Sequence, residues 1–228
     1  MGKHKFGFTM AEVLITIGII GIVAAMTLPS LINRAHGKKL EAQFKKGYSL
    51  LMQVMELMTY GEGQTITPQA YEVHKFAPAF NLYLVAAKAC PKTTCLVERN
   101  REEDENVNLT GYDFGEYKTF NRKATVAGDL MDNGQFMLKN GMTIFIENES
   151  SLYISIDING TSQGPNLWGH DLFTFQLTND GKLLPMGANG TNWTASTYCS
   201  IQSTSKRNGV SCTYRAMTDK NYFKNLPR

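Results

Sequence analysis

The stretch that decides the fold lies near the amino-terminal end: GFTMAEVLITIGIIGIVAAMTLP, Gly7 to Pro29. From Phe8 to Ile32 the chain runs for 25 residues with Glu12 as its single charged side chain. At 1.5 Å per residue a helix of that length spans about 37 Å, enough to cross a hydrocarbon layer of about 30 Å. Lys3, His4 and Lys5 precede the run. The basic flank is therefore expected on the cytoplasmic side, with residues beyond about 34 on the other side. One acid inside such a run is costly: a charge at the centre of a membrane helix costs about 2.5–3.5 kcal/mol on insertion scales, and less near the interface. Glu12 either lies near the membrane surface or waits for a positive partner.

Two plainer readings account for less. A secretory signal peptide has a shorter apolar core and a small-residue cleavage site. Here Met26-Thr27-Leu28-Pro29-Ser30 is a poor match to such a site, and the apolar run continues into a helical pattern. A simple membrane anchor explains the length and the orientation but leaves Glu12 without a reason.

Behind its short basic leader, Gly7-Phe8-Thr9-Met10-Ala11-Glu12-Val13 resembles the processing site of type IV pilins and type II secretion pseudopilins. The resemblance covers about residues 1–33; beyond that it is one of layout. It implies cleavage between Gly7 and Phe8 by a prepilin peptidase and methylation of the new amino terminus on Phe8. Glu12 then becomes the acidic fifth residue of the mature chain. It also implies that Glu12 meets the positive amino terminus of Phe8 on a neighbouring subunit, a pairing that is strong where the dielectric is low. The partners implied are other pilin-like subunits, the prepilin peptidase and an inner-membrane assembly platform. The location implied is the bacterial inner membrane, with a single pass and a cytoplasmic amino terminus, and then a pseudopilus or pilus. Pro29 falls where these proteins often carry a helix-bending proline.

Past Pro29, Leu40, Phe44, Gly47/Tyr48, Leu51, Met55 and Met58 recur at spacings of three or four, with Lys38, Lys39, Glu41, Lys45, Lys46, Gln53 and Glu56 mostly between them. That is an amphipathic helix, expected to end near Gly61. The methionines Met52, Met55 and Met58 read as core packing. The expected layout is a leader at 1–7, a transmembrane and assembly helix at 8–32, its amphipathic continuation at 33–61 and an extracytoplasmic globular domain at 62–228. Composition agrees: 19% charged and 43% hydrophobic residues exclude both a disordered chain and a polytopic one. The net charge is +3, two of it from Lys3 and Lys5, so no global basic field demands nucleic acid.

Residues 68–90 carry a second helical pattern through Ala70-Tyr71, Phe76, Phe80, Leu82-Tyr83-Leu84 and Ala86-Ala87, expected to give one or two short helices ending by Cys90-Pro91. ERNREEDE, 98–105, reads as a solvated loop. From about residue 134 the period becomes two, and Asn140-Gly141 and Asp180-Gly181 stand between apolar runs as hairpin turns. The fold class expected is α+β. A long N-terminal helix, membrane-spanning in its first half, packs its amphipathic half on one face of an antiparallel sheet of four or five strands at about 134–185. That is the pilin layout.

Four cysteines, Cys90, Cys95, Cys199 and Cys212, lie beyond the membrane segment, on the oxidising side of the expected topology. They allow three connectivities. The sequence-local one, Cys90–Cys95 with Cys199–Cys212, is preferred; a zinc site at the C-x4-C spacing competes, with no histidine near either pair. The 199–212 region resembles the disulfide-bounded C-terminal region of many type IV pilins. From Cys199 onward Lys206, Arg207, Arg215, Lys220, Lys224 and Arg228 face a single acid, Asp219, with Tyr214 and Tyr222 interleaved. Such a region keeps nucleic acid in view as a partner, although a solvated surface is the plainer reading.

Asp157-Ile158-Asn159-Gly160 opens like a calcium loop and Asp171 would close it, but the full 12-residue EF-hand pattern is absent. Some pseudopilins hold calcium in a loop of their β region. Asp157, Asn159 and Asp171 are thus candidate Ca²⁺ ligands, against the reading of a turn whose side chains satisfy local backbone. No other cofactor is expected. His36, His74 and His170 are scattered, with no nucleophile elbow or zinc-protease motif nearby, so the expectation is a structural subunit without enzymatic activity. A minor or competence pilin serving DNA uptake or adhesion is the alternative. A membrane-tethered binding module or enzyme is the alternative of another class.

Overall fold

The structure is a computed structural model that describes residues 9–84, 87–89 and 117–227. The leader through Phe8, Cys90, Cys95 and the 98–105 loop lie outside the described residues.

One helix, α1, runs unbroken from Met10 to Glu62 over 53 residues, with Pro29 inside it and Gly63 capping its end at φ 66°. A residue in the left-handed region at that position favours glycine, which explains an end one residue past Gly61. Its second half buries Gly37, Leu40, Phe44, Gly47, Leu51, Val54, Met55 and Met58, the stripe read from the sequence with Gly37 and Val54 added. Met52 departs from the expected methionine stripe and is exposed. It follows Leu51 by one position, about 100° round the helix, and so leaves the face that touches the sheet.

Among the described residues the sheet has six antiparallel strands in sequence order: β1 (Ala87–Ala89), β2 (Gly134–Leu138), β3 (Thr143–Asn148), β4 (Leu152–Asp157), β5 (Leu172–Leu177) and β6 (Leu183–Pro185). Strands β2 to β6 occupy the expected 134–185 region. Strand β1 corrects the expectation of helix up to Cys90. Among the described residues of that stretch the one α-helix is α2 (Phe76–Tyr83), after a single 3₁₀ turn at Pro68–Ala70. Residues 87–89 instead pair with Phe136, Met137 and Leu138. Alanine's helix preference is worth less than about 1 kcal/mol per residue, and backbone pairing on the open edge of β2 overrides it.

Register decides which residues face α1. Ile146 pairs with Ile154 and Ile154 with Phe175, while Ile156 pairs with both Ile144 and Phe173. These share one face and form the main core with Leu40, Phe44, Leu51 and Met58. Phe44 is the hub: its ring lies 4.5 Å from Phe173, 5.6 Å from Phe223 and 6.4 Å from Phe175. Two glycines set the approach. A methyl group on Gly47 would stand 2.9 Å from Ile156 Cδ1, and one on Gly37 would stand 2.4 Å from the Phe223 carbonyl oxygen.

The opposite face is also buried, where only one covered face was expected. Every position of β3, β4 and β5 is buried. Phe145, Tyr153 and Leu172 on the far side join Tyr117, Leu130, Met131, Trp168, Met186 and Val210 in a second core. The run Leu172, Phe173, Phe175 therefore divides between the faces, as period two requires. The C-terminal region contributes Val210 to this cover and packs Tyr198 of α3 (Ala195–Tyr198) and Trp193, just before that helix, against it. Cys212 and Ala216 of α4 (Cys212–Thr218) join the main core, and a last 3₁₀ turn at Tyr222–Lys224 returns to α1.

Candidate functional site

Three places carry the chemistry singled out in the sequence. The first is the start of α1. Thr9 is the N-cap, in an extended conformation. Its backbone N–H donates to Glu12 Oε2 at 2.8 Å, its hydroxyl donates to the same oxygen at 2.8 Å, and Glu12 N–H donates to Thr9 Oγ1 at 3.2 Å. This reciprocal capping box satisfies two N–H groups that a helix start leaves orphaned, and it places a negative charge at the positive end of the helix dipole. Thr9 was missed in the sequence, although Thr9-Met10-Ala11-Glu12 before an apolar run is the signature of such a box. Gly7 and Phe8 lie outside the described residues.

Beyond Glu12 the helix is apolar all round. Leu14, Ile15, Ile17, Ile20 and Val23 are all more than half exposed. The two threonine hydroxyls turn inward on their own helix, Thr16 to Val13 O at 2.8 Å and Thr27 to Val23 O at 2.9 Å, so neither needs water. Among the described residues nothing lies within 4 Å of where a side chain on Gly18 or Gly21 would begin, and their small size lets a second backbone come close. By length and composition this helix can cross a membrane, and none of its most apolar 18-residue window is buried by the other described residues. An exposed apolar surface of this extent needs lipid or other apolar helices.

The second place is the loop between β4 and β5, where Asp157, Asn159 and Asp171 do come together. Asp157 Oδ1 accepts from the N–H groups of Asn159 (3.1 Å) and Gly160 (2.8 Å), and Oδ2 accepts from the Tyr117 hydroxyl at 2.5 Å. Asp171 accepts from Asn166 N–H at 2.8 Å and Leu167 N–H at 2.6 Å. Burial raises the pKa of both acids, and Asp157 raises that of Asp171 further by like-charge repulsion. Two buried acids that repel each other need a proton or a cation between them. Among the described residues no group of three or more His, Cys, Asp or Glu gathers. However, the side-chain oxygens of Asn159 and Asn166 are buried without a hydrogen-bond partner, their amide nitrogens held by the carbonyls of Gln163, Gly164 and Thr161. Two carboxylates and two orphaned amide oxygens fit the all-oxygen chemistry of a hard cation. Asn166 and Tyr117 carry no spacing signal toward Asp157 and were not found from sequence.

The third place is the C-terminal region. Cys199 and Cys212 form a disulfide with Cα atoms 4.9 Å apart. Several of its cations are engaged within the fold. Arg207 pairs with Asp129 and lies over the Trp193 ring, Arg215 donates to Cys199 O at 3.3 Å, and Lys224 donates to Asn221 Oδ1 at 3.0 Å. His74 stays apart, its N–H bonded to Asn148. His170 is buried against Phe120 O, and burial pulls its pKa down to about 4.

Spine, sheet and exposed apolar half define the class: an α+β protein of pilin-like architecture. Residues 2–28 match the family model described as the prokaryotic N-terminal methylation motif, the signature of type IV pilins and pseudopilins. That motif implies processing by prepilin peptidase and assembly with other pilin subunits. No curated protein and no solved structure matches the chain.

Proposed function

We propose that the chain is a non-enzymatic subunit of a type II secretion pseudopilus or a type IV pilus-like filament. It is held in the inner membrane by the first half of α1, with its globular domain outside, until an assembly platform extracts it. The observation that carries this reading is the division of α1: one half is packed under the sheet, and the other is bare, apolar and led by a single acid. In the isolated subunit Glu12 is satisfied by Thr9. In the filament the charged amino terminus of a neighbour's Phe8 takes over, fixing axial register. The test is Glu12→Gln in cells: membrane insertion and cleavage after Gly7 continue, while filament yield on shear falls at least about tenfold, the effect of losing one charge-assisted contact. Wild-type filament yield from Glu12→Gln sinks the proposal, as does a mature protein that begins anywhere but Phe8.

We also propose that Asp157, Asp171, Asn159 and Asn166 hold calcium, which would supply the positive charge that lets both acids stay ionised. A melting temperature that is the same in calcium and in EGTA rules this out.

A further inference from the structure

Where α1 leaves its apolar run, a cleft of about 480 Å³ opens between the helix and the C-terminal turn. Its walls include His36 and Leu40 from α1, Arg122 from the loop before β2, and Phe223, Lys224 and Leu226 from the chain's last turn. None of the lining residues is acidic. Among the described residues neither Arg122 nor Lys224 has an acidic partner; the Lys224 ammonium donates to an amide oxygen instead. Arg122, His36 and Lys224 line this one cleft together with the buried His170 ring, so the basic side chains converge on one spot. Arg122 also has φ 65°, and its N–H closes a turn onto Thr119 O at 2.7 Å. Non-glycine residues keep that conformation at a cost, when the surroundings impose it. Arg34, Lys38 and Lys39 on the adjoining turns are exposed and add to the same field.

Position gives the cleft its ligand. His36 stands four residues past Ile32 and Leu40 eight, so this wall covers about 6 to 12 Å beyond the apolar run. The headgroup layer on each side of a bilayer is about 5–8 Å thick. The membrane-proximal end of this basic cleft, at His36, therefore lies within the headgroup layer, and its far end at Leu40 stands a few Å above it. The geometry points to a binding site for the headgroup of an anionic phospholipid: Arg122 and Lys224 take its phosphate, and the buried Leu40 and Phe223 close the back of the cleft. This rests on the reading that α1 crosses a membrane. The bound lipid holds the globular domain down on the bilayer, and a subunit entering a filament must give it up.

The test uses the full-length protein in uncharged detergent micelles, titrated separately with dihexanoyl phosphatidylglycerol, dihexanoyl phosphatidylcholine and inorganic phosphate, with binding read by native mass spectrometry. Phosphatidylglycerol binds at least about tenfold more tightly than phosphatidylcholine. The double variant Arg122→Gln, Lys224→Gln lowers its affinity about thirtyfold, or about fivefold per charge removed near an anionic headgroup. Both side chains are exposed, and an unchanged melting temperature verifies that the variant folds. Equal binding of the two lipids, which needs no variant to detect, overturns the site, as does wild-type affinity in the double variant. Inorganic phosphate that binds as tightly as the lipid overturns the lipid source. Carbonate washing separates the two readings. Release of the chain from membranes defeats the spanning helix, whereas retention without lipid preference defeats the headgroup site alone.

Discussion

Replacing Gly37 by alanine sets two effects of known size against each other. In a helix interior the change normally stabilises by about 0.8–1.0 kcal/mol, because glycine loses more backbone freedom on folding. Here the added methyl would lie 2.4 Å from the Phe223 carbonyl oxygen and 3.2 Å from its carbon. Both are backbone atoms, so the whole 222–224 turn must move. That turn is anchored by the Tyr222 hydroxyl on Gly169 O at 2.6 Å and by Phe223 against Phe44 and Phe173. Overpacking of this kind costs about 1–3 kcal/mol, which cancels the helix gain and leaves a net loss of up to about 2 kcal/mol. Gly47→Ala is the control. Its methyl meets only the Cδ1 end of Ile156 at 2.9 Å, which a rotamer change relieves, so the two terms nearly balance. Urea unfolding of the full-length chain in micelles, followed by the fluorescence of buried Trp168, gives the two midpoints. Gly37→Ala is expected to unfold at lower urea than both wild type and Gly47→Ala. If Gly37→Ala gains the full helix-propensity increment, the close approach of helix and C-terminal turn is refuted.

Two further expectations concern the loop acids and the disulfide. Burial raises the pKa of Asp157 and Asp171 from 3.8, so the folded chain holds protons that the unfolded chain has lost, and stability falls as pH rises from about 4 to about 7. In EGTA, Asp171→Asn should become progressively more stable relative to wild type across that window. The shifts of His170 and Glu147, common to both chains, cancel in the comparison, and a flat difference contradicts the buried pair. Replacing both Cys199 and Cys212 by serine removes a crosslink over a separation of 13 residues and should cost about 3 kcal/mol, read as a lower urea midpoint. An unchanged midpoint means the loop is held by its other contacts.

The spine was legible because its signal is dense and periodic: Leu40 to Met58 repeats at helical spacing, and the hairpins carry Asn140-Gly141 and Asp180-Gly181. What escaped has no period. Ala87-Lys88-Ala89 is too short and too alanine-rich to read as a strand, and its partner β2 lies more than 40 residues away. The second core is assembled from Tyr117, Trp168, Met186 and Val210, single apolar residues in loops, and only three-dimensional closure brings them to the far face. At the loop of acids, Asp157, Asn159 and Asp171 were visible as a spaced set. Tyr117, 40 residues from Asp157, and the orphaned oxygen of Asn166 were not. The Thr9 cap was written in the sequence and needed only the four-residue pattern to find it.

Among the described residues the outermost strands of the sheet, β1 and β6, are three residues each, and β6 closes on Pro185. A margin that short offers a stranger about two or three backbone bonds, too few to hold one. Edges that short leave little backbone for a second chain to extend the sheet sideways. In the filament proposed above, neighbouring copies would then stay apart at their sheets and join only along the helix axis.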